Sequence, residues 1–169
     1  EWFNGGGPGD LRAALFPAKG KPQGSIVLSG GRTEPIEKYF EVIEELTGRG
    51  YVVLAHDWRG QGLSHRSLTN RLAGHADGYQ AFLDDYHALL AKYESRLPKP
   101  WFAIGHSMGG CLTLLALAHG EASRFEGAIL SAPMLGIQTG GLPRFVARGL
   151  AGLKILLGQA GELARPDNG

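Results

Sequence analysis

Short, continuously apolar runs alternate along the chain with segments whose apolar residues recur at helical spacing. The apolar runs are bounded by glycine, proline or polar residues and predict four buried strands, at residues 25–29, 51–56, 101–104 and 127–130. Residues 11–16 predict a further strand at a sheet edge. The glycine-rich first ten residues predict a loop or a frayed end.

Helical stripes lie between these strands. Apolar positions from Ile36 to Leu46 and from Tyr79 to Tyr93 each form one stripe, and a third helix is predicted from about Met108 to His119. Alternating helices and fully apolar strands predict an α/β protein with a mostly parallel sheet covered on both faces. The loops after such strands meet at one sheet edge, where ligands bind. Here they are residues 30–34, 57–64, 106–109 and 131–136.

The last part of the chain differs because no strand precedes its helix. Apolar residues from Leu142 to Leu157 form one stripe, and Arg144 and Arg148 lie on another face. We interpret residues 1–135 as the core and residues 136–169 as the start of an incomplete helical cap. The stripe favours packing on the core, but a membrane-surface helix stays an alternative, because the arginines suit an anionic headgroup.

Composition and charge exclude several classes of function. The chain has 169 residues, 43% of them hydrophobic, which is enough for one globular domain. The net charge of +1 gives no reason to expect nucleic acid. A single cysteine, the lack of a visible signal peptide and the lack of a membrane-spanning run favour a cytoplasmic location. Neither nucleotide-binding nor zinc-binding spacing is present, so no cofactor or metal is expected.

The pattern Gly-His-Ser-Met-Gly at residues 105–109 carries the candidate chemistry. It fits G-x-S-x-G between a predicted strand and a predicted helix, the context in which a serine is held out as a nucleophile. Gly105 and Gly109 permit close approach of neighbouring backbone at this sharp turn. Ser107 is therefore the predicted nucleophile. His106 is interpreted as structural, with its side chain pointing into the protein.

An oxyanion hole is predicted from two backbone N–H groups. The helix that begins after Ser107 presents the N–H of Met108, and the loop at residues 30–34 presents that of Arg32. The alternative for this loop is a plain helix start. In the same way, Glu34 is interpreted either as a capping or ion-paired residue or as part of a substrate site.

Four segments in the same order resemble bacterial lysophospholipases, which are related to monoacylglycerol lipases and belong to a hydrolase group also called serine aminopeptidases. They are Gly-Gly-Arg-Thr-Glu (30–34) with Glu-Lys-Tyr (37–39), Asp-Trp-Arg-Gly-Gln-Gly-Leu-Ser (57–64), Gly-His-Ser-Met-Gly-Gly (105–110) and Leu-Ser-Ala-Pro-Met (130–134). The resemblance runs from about Ser25 to Gly136. Many relatives have a His-Gly pair where this chain has Gly30-Gly31, although lysophospholipase-like members also lack that histidine.

This resemblance implies a three-layer α/β-hydrolase fold and an acyl-enzyme formed on Ser107. It also implies that Arg32 and Met108 lend their amides to the oxyanion and that the loop at residues 57–64 braces the pocket floor. The implied partner is a small lipid ester, with peripheral membrane contact through the cap. No obligate protein partner can be read from the sequence.

The acid and base of a serine hydrolase are missing from their usual places. In this fold they follow the nucleophile in the order Ser, Asp or Glu, His. After Ser107 the only histidine is His119, about 18 Å farther along the same helix, and the only aspartate is Asp167. We therefore expect a chain truncated within the cap and inactive by itself. Three alternatives stay open: a naturally shortened product that is inert, a binding domain that retains the turn around Ser107, and an acyltransferase.

Overall fold

A computed structural model describes residues 1–71, 73–136, 141 and 143–159 of the chain. Its centre is a six-stranded sheet in the order β1-β2-β4-β3-β5-β6. The strands are β1 (Trp2–Asn4), β2 (Asp10–Phe16), β3 (Gly24–Ser29), β4 (Tyr51–His56), β5 (Trp101–His106) and β6 (Gly127–Ser131). β3 to β6 are mutually parallel, whereas β1 and β2 join the edge antiparallel. The predicted mostly parallel sheet is confirmed.

Helices cover both faces of the sheet and give the three-layer architecture. They are a 3-10 helix (Ile36–Tyr39) leading into α1 (Phe40–Gly48), α2 (Tyr79–Tyr93), α3 (Ser107–Ala118), α4 (Arg144–Leu156) and short 3-10 helices at Glu94–Arg96 and Glu121–Arg124. On one face, Ile43 of α1 packs with Ile26 and Val53. On the other, α2 and α3 cover a larger cluster that includes Val27 and Leu54. Neighbouring residues of β3 and β4 thus point to opposite faces, which explains why both strands are apolar throughout.

The carboxyl ends of the parallel strands lie side by side. Ser29, the last residue of β3, pairs with His56 of β4 and with Gly105 of β5, and His106 pairs with Ser131 of β6. This register brings all four strand-end loops to one edge of the sheet. The sequence-based expectation for that edge is confirmed.

The prediction of a loop or frayed end for the first ten residues was wrong at residues 2–4, whereas residues 5–9 do form a loop. Trp2–Asn4 forms β1, which pairs with Leu11 and its neighbours in β2. Phe3 is buried and meets the ring of Tyr93 edge to face at 6.5 Å between centroids. A three-residue strand is too short to show an alternating pattern, and the adjacent glycines dominate the local signal.

Two surfaces of the described chain carry exposed apolar side chains. β6 is hydrogen-bonded to β5 on one side, and its Ile129 is 65% exposed. In α4, Phe145 is 76% and Leu156 is 85% exposed, so the predicted amphipathic helix is present but its apolar face is open. In the described part of the chain, no helix has the length and apolar character needed to cross a bilayer.

Candidate active site

Ser107 lies at a strained turn between β5 and α3. It is the first residue of α3, and its φ of +50° falls in the left-handed region, which a residue with a side chain rarely adopts. Thr33 (φ +60°) and Ala132 (φ +44°) are the other residues with side chains at positive φ in the described chain, and both belong to loops at the same edge. Clustered backbone strain of this kind is typical of functional sites.

The glycines that flank Ser107 are required by close backbone contacts. A Cβ built on Gly109 would lie 2.3 Å from the carbonyl oxygens of both Ser29 and Gly30. One built on Gly105 would lie 2.7 Å from the Cα of Gly110. The start of α3 is therefore pressed against the end of β3, and this contact brings the loop after β3 to Ser107.

The loop after β3 packs directly on the serine. A Cβ on Gly31 would lie 3.1 Å from the Cβ of Ser107. The N–H of Gly31 donates to Glu34 Oε2 at 2.6 Å, and the N–H of Thr33 donates to Gln61 Oε1. Arg32 N–H, between these two, has no acceptor among the residues that the structure describes. It is therefore available to a ligand next to Ser107.

The first amides of α3 supply the other candidate donors. The earliest N–H groups of a helix have no partner within it and carry its positive end. That of Met108 directly follows Ser107, and the Met108 side chain is buried with its Sδ 3.9 Å from Gln61 Nε2. Gln61 thus contacts both the loop after β3 and the start of α3. The sequence alone indicates no role for Gln61 beyond its place in the loop at residues 57–64.

Glu34 is the centre of the polar contacts beside Ser107. Its Oε2 accepts hydrogen bonds from Gly31 N–H, from the Tyr39 hydroxyl at 2.5 Å and from His106 Nδ1 at 2.8 Å. Its Oε1 accepts one from Lys38 at 2.5 Å. Partial burial raises the pKa of Glu34, but these hydrogen bonds outweigh it and lower the pKa to about 2. The carboxylate is therefore ionised at neutral pH.

The orientation predicted for His106 was wrong. Its side chain is 39% exposed and is hydrogen-bonded to Glu34 across the site instead of pointing into the core. Because β5 residues alternate between faces and β5 ends at His106, the ring emerges at the sheet edge. The ion pair of Glu34 with Lys38 confirms its interpretation as an ion-paired residue.

The loop at residues 57–64 holds the neighbouring segments of the site in place through hydrogen bonds. Buried Asp57 accepts hydrogen bonds from the N–H groups of Ile36 and Leu63, each at 2.9 Å, and thereby ties this loop to the start of the 3-10 helix before α1. Trp58 Nε1–H donates to the Gly30 carbonyl at 2.8 Å. His56, just before them, lies 3.0 Å from Ser29 Oγ, and burial lowers its pKa to about 3, so the ring is neutral.

Three further histidines form contacts away from Ser107. His75 contacts Asp77, His87 contacts Glu121, and His119 contacts the Leu115 carbonyl at the far end of α3. None of these contacts pairs a histidine with the serine. Asp167 lies outside the described residues. Nor does the described part of the chain contain a cluster of three side chains able to hold a metal.

The loop after β6 closes the other side of the turn. Met134 N–H donates to the Ser107 carbonyl at 2.9 Å, and a Cβ on Gly110 would lie 3.2 Å from the Cβ of Pro133.

A serine at a strained strand-to-helix turn, at the carboxyl edge of a mostly parallel sheet, defines an α/β-hydrolase. The comparisons with known proteins agree. The chain belongs to the family described as serine aminopeptidase, S33, which matches residues 20–164.

Relatives with assigned names fall among lipases and esterases. Lysophospholipase L2 of Escherichia coli K12 is 35% identical over 127 residues, which are 73% of this chain and 36% of that protein. Phospholipase YtpA of Bacillus subtilis is 34% identical over 118 residues, which are 70% of this chain and 43% of that protein. The matched residues therefore span less than half the length of each of these two relatives.

Solved structures show the same fold. A thermostable carboxyl esterase from Bacillus coagulans superposes with a TM-score of 0.70 at 25% identity, covering 94% of this chain and 50% of that one. Monoacylglycerol lipase from Paleococcus ferrophilus gives a TM-score of 0.66 at 25% identity, covering 85% and 50%. Each of these two structures is thus covered over about half of its chain.

Proposed function

We propose that the protein acts on carboxylic esters of lipids, as a lysophospholipase or monoacylglycerol lipase, through an acyl-enzyme on Ser107. The observation that carries this proposal is the loop with the unpaired Arg32 N–H packed against a serine held at positive φ. The names of the relatives support the substrate class. The S33 family name leaves amide substrates as the competing class.

In this mechanism Ser107 Oγ attacks the ester carbonyl carbon, and the carbonyl oxygen becomes an oxyanion. Arg32 and Met108 N–H groups stabilise that charge, and one such donor typically contributes ~3–4 kcal/mol to the transition state. The alcohol leaves with a proton, and water then releases the acid from the serine ester. Gly105, His106 and Gly109 shape the turn that holds Ser107 out.

Both proton transfers need a base within hydrogen-bond reach of Ser107. We propose that this base and its acid partner are not among the 169 residues, because His119 is placed far along α3 and four of the other histidines bond to groups other than Ser107. On this proposal the chain alone has the nucleophile and the oxyanion donors, but it does not turn over substrate.

The test compares two proteins: these 169 residues, and the longest open reading frame that contains them. Both are assayed with a lysophosphatidylcholine, a monoacylglycerol and an aminoacyl amide. We expect the longer protein to hydrolyse the two lipid esters and the 169 residues to hydrolyse none of the three substrates. Robust ester turnover by the 169 residues would show that the base is present.

Other outcomes of the same assay identify the alternatives. Hydrolysis confined to the amide would replace the lipid class by peptides. Acyl transfer to an added alcohol in preference to water would make the protein an acyltransferase. If neither protein turns over any substrate but lipid binding is retained, the result would favour a binding domain that has kept the turn around Ser107.

We propose further that residues 1–135 are the hydrolase core and residues 136–169 the start of a cap that contacts membranes from the cytoplasm. Support comes from the open apolar face of α4, on which Phe145 and Leu156 are exposed, and from the exposed Arg148. Apolar surface combined with basic residues is typical of helices that bind at a lipid interface.

Vesicle binding tests the role of α4. Replacing Phe145 and Leu156 by serine, or Arg148 by glutamate, is expected to weaken co-sedimentation with vesicles of phosphatidylcholine and phosphatidylglycerol at least several-fold. Lys21→Glu, at an exposed loop position away from α4, is the matched control for charge. Unchanged binding of the α4 variants would contradict membrane contact through this helix.

A further inference from the structure

The polar contacts beside Ser107 include a side chain for which the proposed mechanism has no chemical step. We propose that Glu34 is a positioning residue, whose carboxylate fixes the Gly30–Gly31 peptide and the His106 ring so that Arg32 N–H faces the oxyanion. This inference rests on the proposed esterase function. It assigns Glu34 neither a proton transfer nor a contact with substrate.

The peptide between Gly30 and Gly31 is held at both ends by side chains. Its carbonyl accepts from Trp58 Nε1–H at 2.8 Å, and its N–H donates to Glu34 Oε2 at 2.6 Å. Because a peptide unit is planar, fixing both polar ends fixes its orientation. Gly31 would otherwise be among the freest residues in the loop, since glycine has the widest range of backbone angles.

This peptide decides where the next amide points. Arg32 N–H is separated from it by the two backbone angles of Gly31. The loop also lies in direct contact with the reacting serine, since a Cβ on Gly31 would be 3.1 Å from that of Ser107. A small rotation of the peptide therefore moves the oxyanion donor relative to Ser107. Misplacing a catalytic group by ~1 Å can cost about 100-fold in rate.

The same carboxylate also holds the residue before the nucleophile. His106 Nδ1 donates to Glu34 Oε2 at 2.8 Å. One oxygen therefore fixes both the loop at residues 30–34, called here the oxyanion loop, and the turn at Ser107. Tyr39 donates a third hydrogen bond to that oxygen, and burial together with the nearby carboxylate raises the pKa of Tyr39, which keeps its hydroxyl protonated. Lys38 neutralises the other oxygen.

An ionised carboxylate is the group this arrangement requires. Three donors converge on Oε2 and a fourth meets Oε1, and a carboxylate only accepts hydrogen bonds. The low pKa of Glu34, about 2, agrees with this charge state. Glutamine has the same shape, but its NH₂ group would face either Lys38 or the three donors, so Glu34→Gln removes acceptors without creating a cavity.

The experiment uses the longest open reading frame that contains the chain and measures kcat and KM for a monoacylglycerol. Glu34→Gln and Trp58→Phe each release one end of the Gly30–Gly31 peptide. We expect each to lower kcat by about 10- to 100-fold with KM changed less than about twofold. Because both variants free the same peptide, the double variant is expected to fall short of the product of the single effects.

Glu45→Gln is the matched control. Glu45 is also an ion-paired glutamate near the start of the chain, but it pairs with Arg49 on the exposed side of α1. Its kcat and KM are expected to equal those of the unchanged protein. Thermal unfolding of every variant, followed alongside, shows whether the protein assayed is folded.

A second measurement is independent of catalysis. The amide signals of Gly31 and Arg32 are followed by NMR in the unchanged protein and in Glu34→Gln. Loss of a carboxylate acceptor is expected to shift the Gly31 signal and to speed its hydrogen exchange at least tenfold, while amides of β3 keep theirs.

Each result decides the proposal. A raised KM with unchanged kcat would make Glu34 a substrate contact and overturn it. Lower thermal stability with normal kcat, or unchanged Gly31 and Arg32 amides, would also overturn it. If the unchanged protein hydrolyses no ester, the proposed function fails, but the amide measurement still decides whether Glu34 positions the loop.

Discussion

Replacing Ser107 by alanine is expected to lower ester turnover of the full protein by about 10⁶-fold, the loss typical of removing a serine nucleophile. Covalent labelling by a fluorophosphonate should disappear at the same time, because the probe reacts with this hydroxyl. The reason is geometric: among the described residues Ser107 is the serine at a positive φ, and it contacts the loop whose Arg32 N–H has no acceptor in that part of the chain. Stopped-time ester assays and intact-mass spectrometry give the two readouts.

Ser131→Ala is the matched control for this variant. Ser131 ends the neighbouring parallel strand and pairs in register with His106, so it lies at the same sheet edge without occupying the turn. Its labelling and turnover are expected to stay within about twofold of the unchanged protein. Labelling that persists in Ser107→Ala, or that maps to another residue, would contradict the assignment of the nucleophile.

The central strands could be predicted because their signals are local. β3, β4 and β5 are short apolar runs, and a strand buried on both faces needs no alternation. β1 could not be predicted, since its stability comes from pairing with β2 and from the burial of Phe3 against Tyr93, ninety residues away in the sequence. No window around Trp2–Asn4 contains that information.

Parts of the site could likewise be predicted and parts could not. The turn at Ser107 is predicted by five consecutive residues, and its glycines have the close contacts that the pattern requires. The hydrogen bonds that hold the oxyanion loop join Glu34 to His106 and Gly30 to Trp58, residues far apart along the chain. The sequence places all four in strand-end loops but does not specify which side chain faces which. The orientation of His106 was missed for this reason.

A last expected result concerns Gly109, where an added methyl group should push the start of α3 away from the end of β3. A Cβ at this position would lie 2.3 Å from two backbone carbonyl oxygens, those of Ser29 and Gly30. Backbone cannot rotate away as a flexible side chain can, so α3 and the end of β3 must move apart. Overpacking typically costs ~1–3 kcal/mol, and a clash with two main-chain atoms belongs at the upper end.

Gly109→Ala is therefore expected to lower the free energy of unfolding by about 3 kcal/mol. It should also lower kcat, because the same movement shifts the oxyanion loop away from Ser107. Gly48→Ala is the matched control: Gly48 also lies in a helix, but no atom approaches within 4 Å of its added Cβ. Alanine there should stabilise the protein by up to ~1 kcal/mol, since glycine is the poorer helix former. Urea denaturation of both variants measures the difference. Equal stability of Gly109→Ala and Gly48→Ala would mean that α3 is not pressed against β3, and the close packing of the oxyanion loop on Ser107 would lose its support.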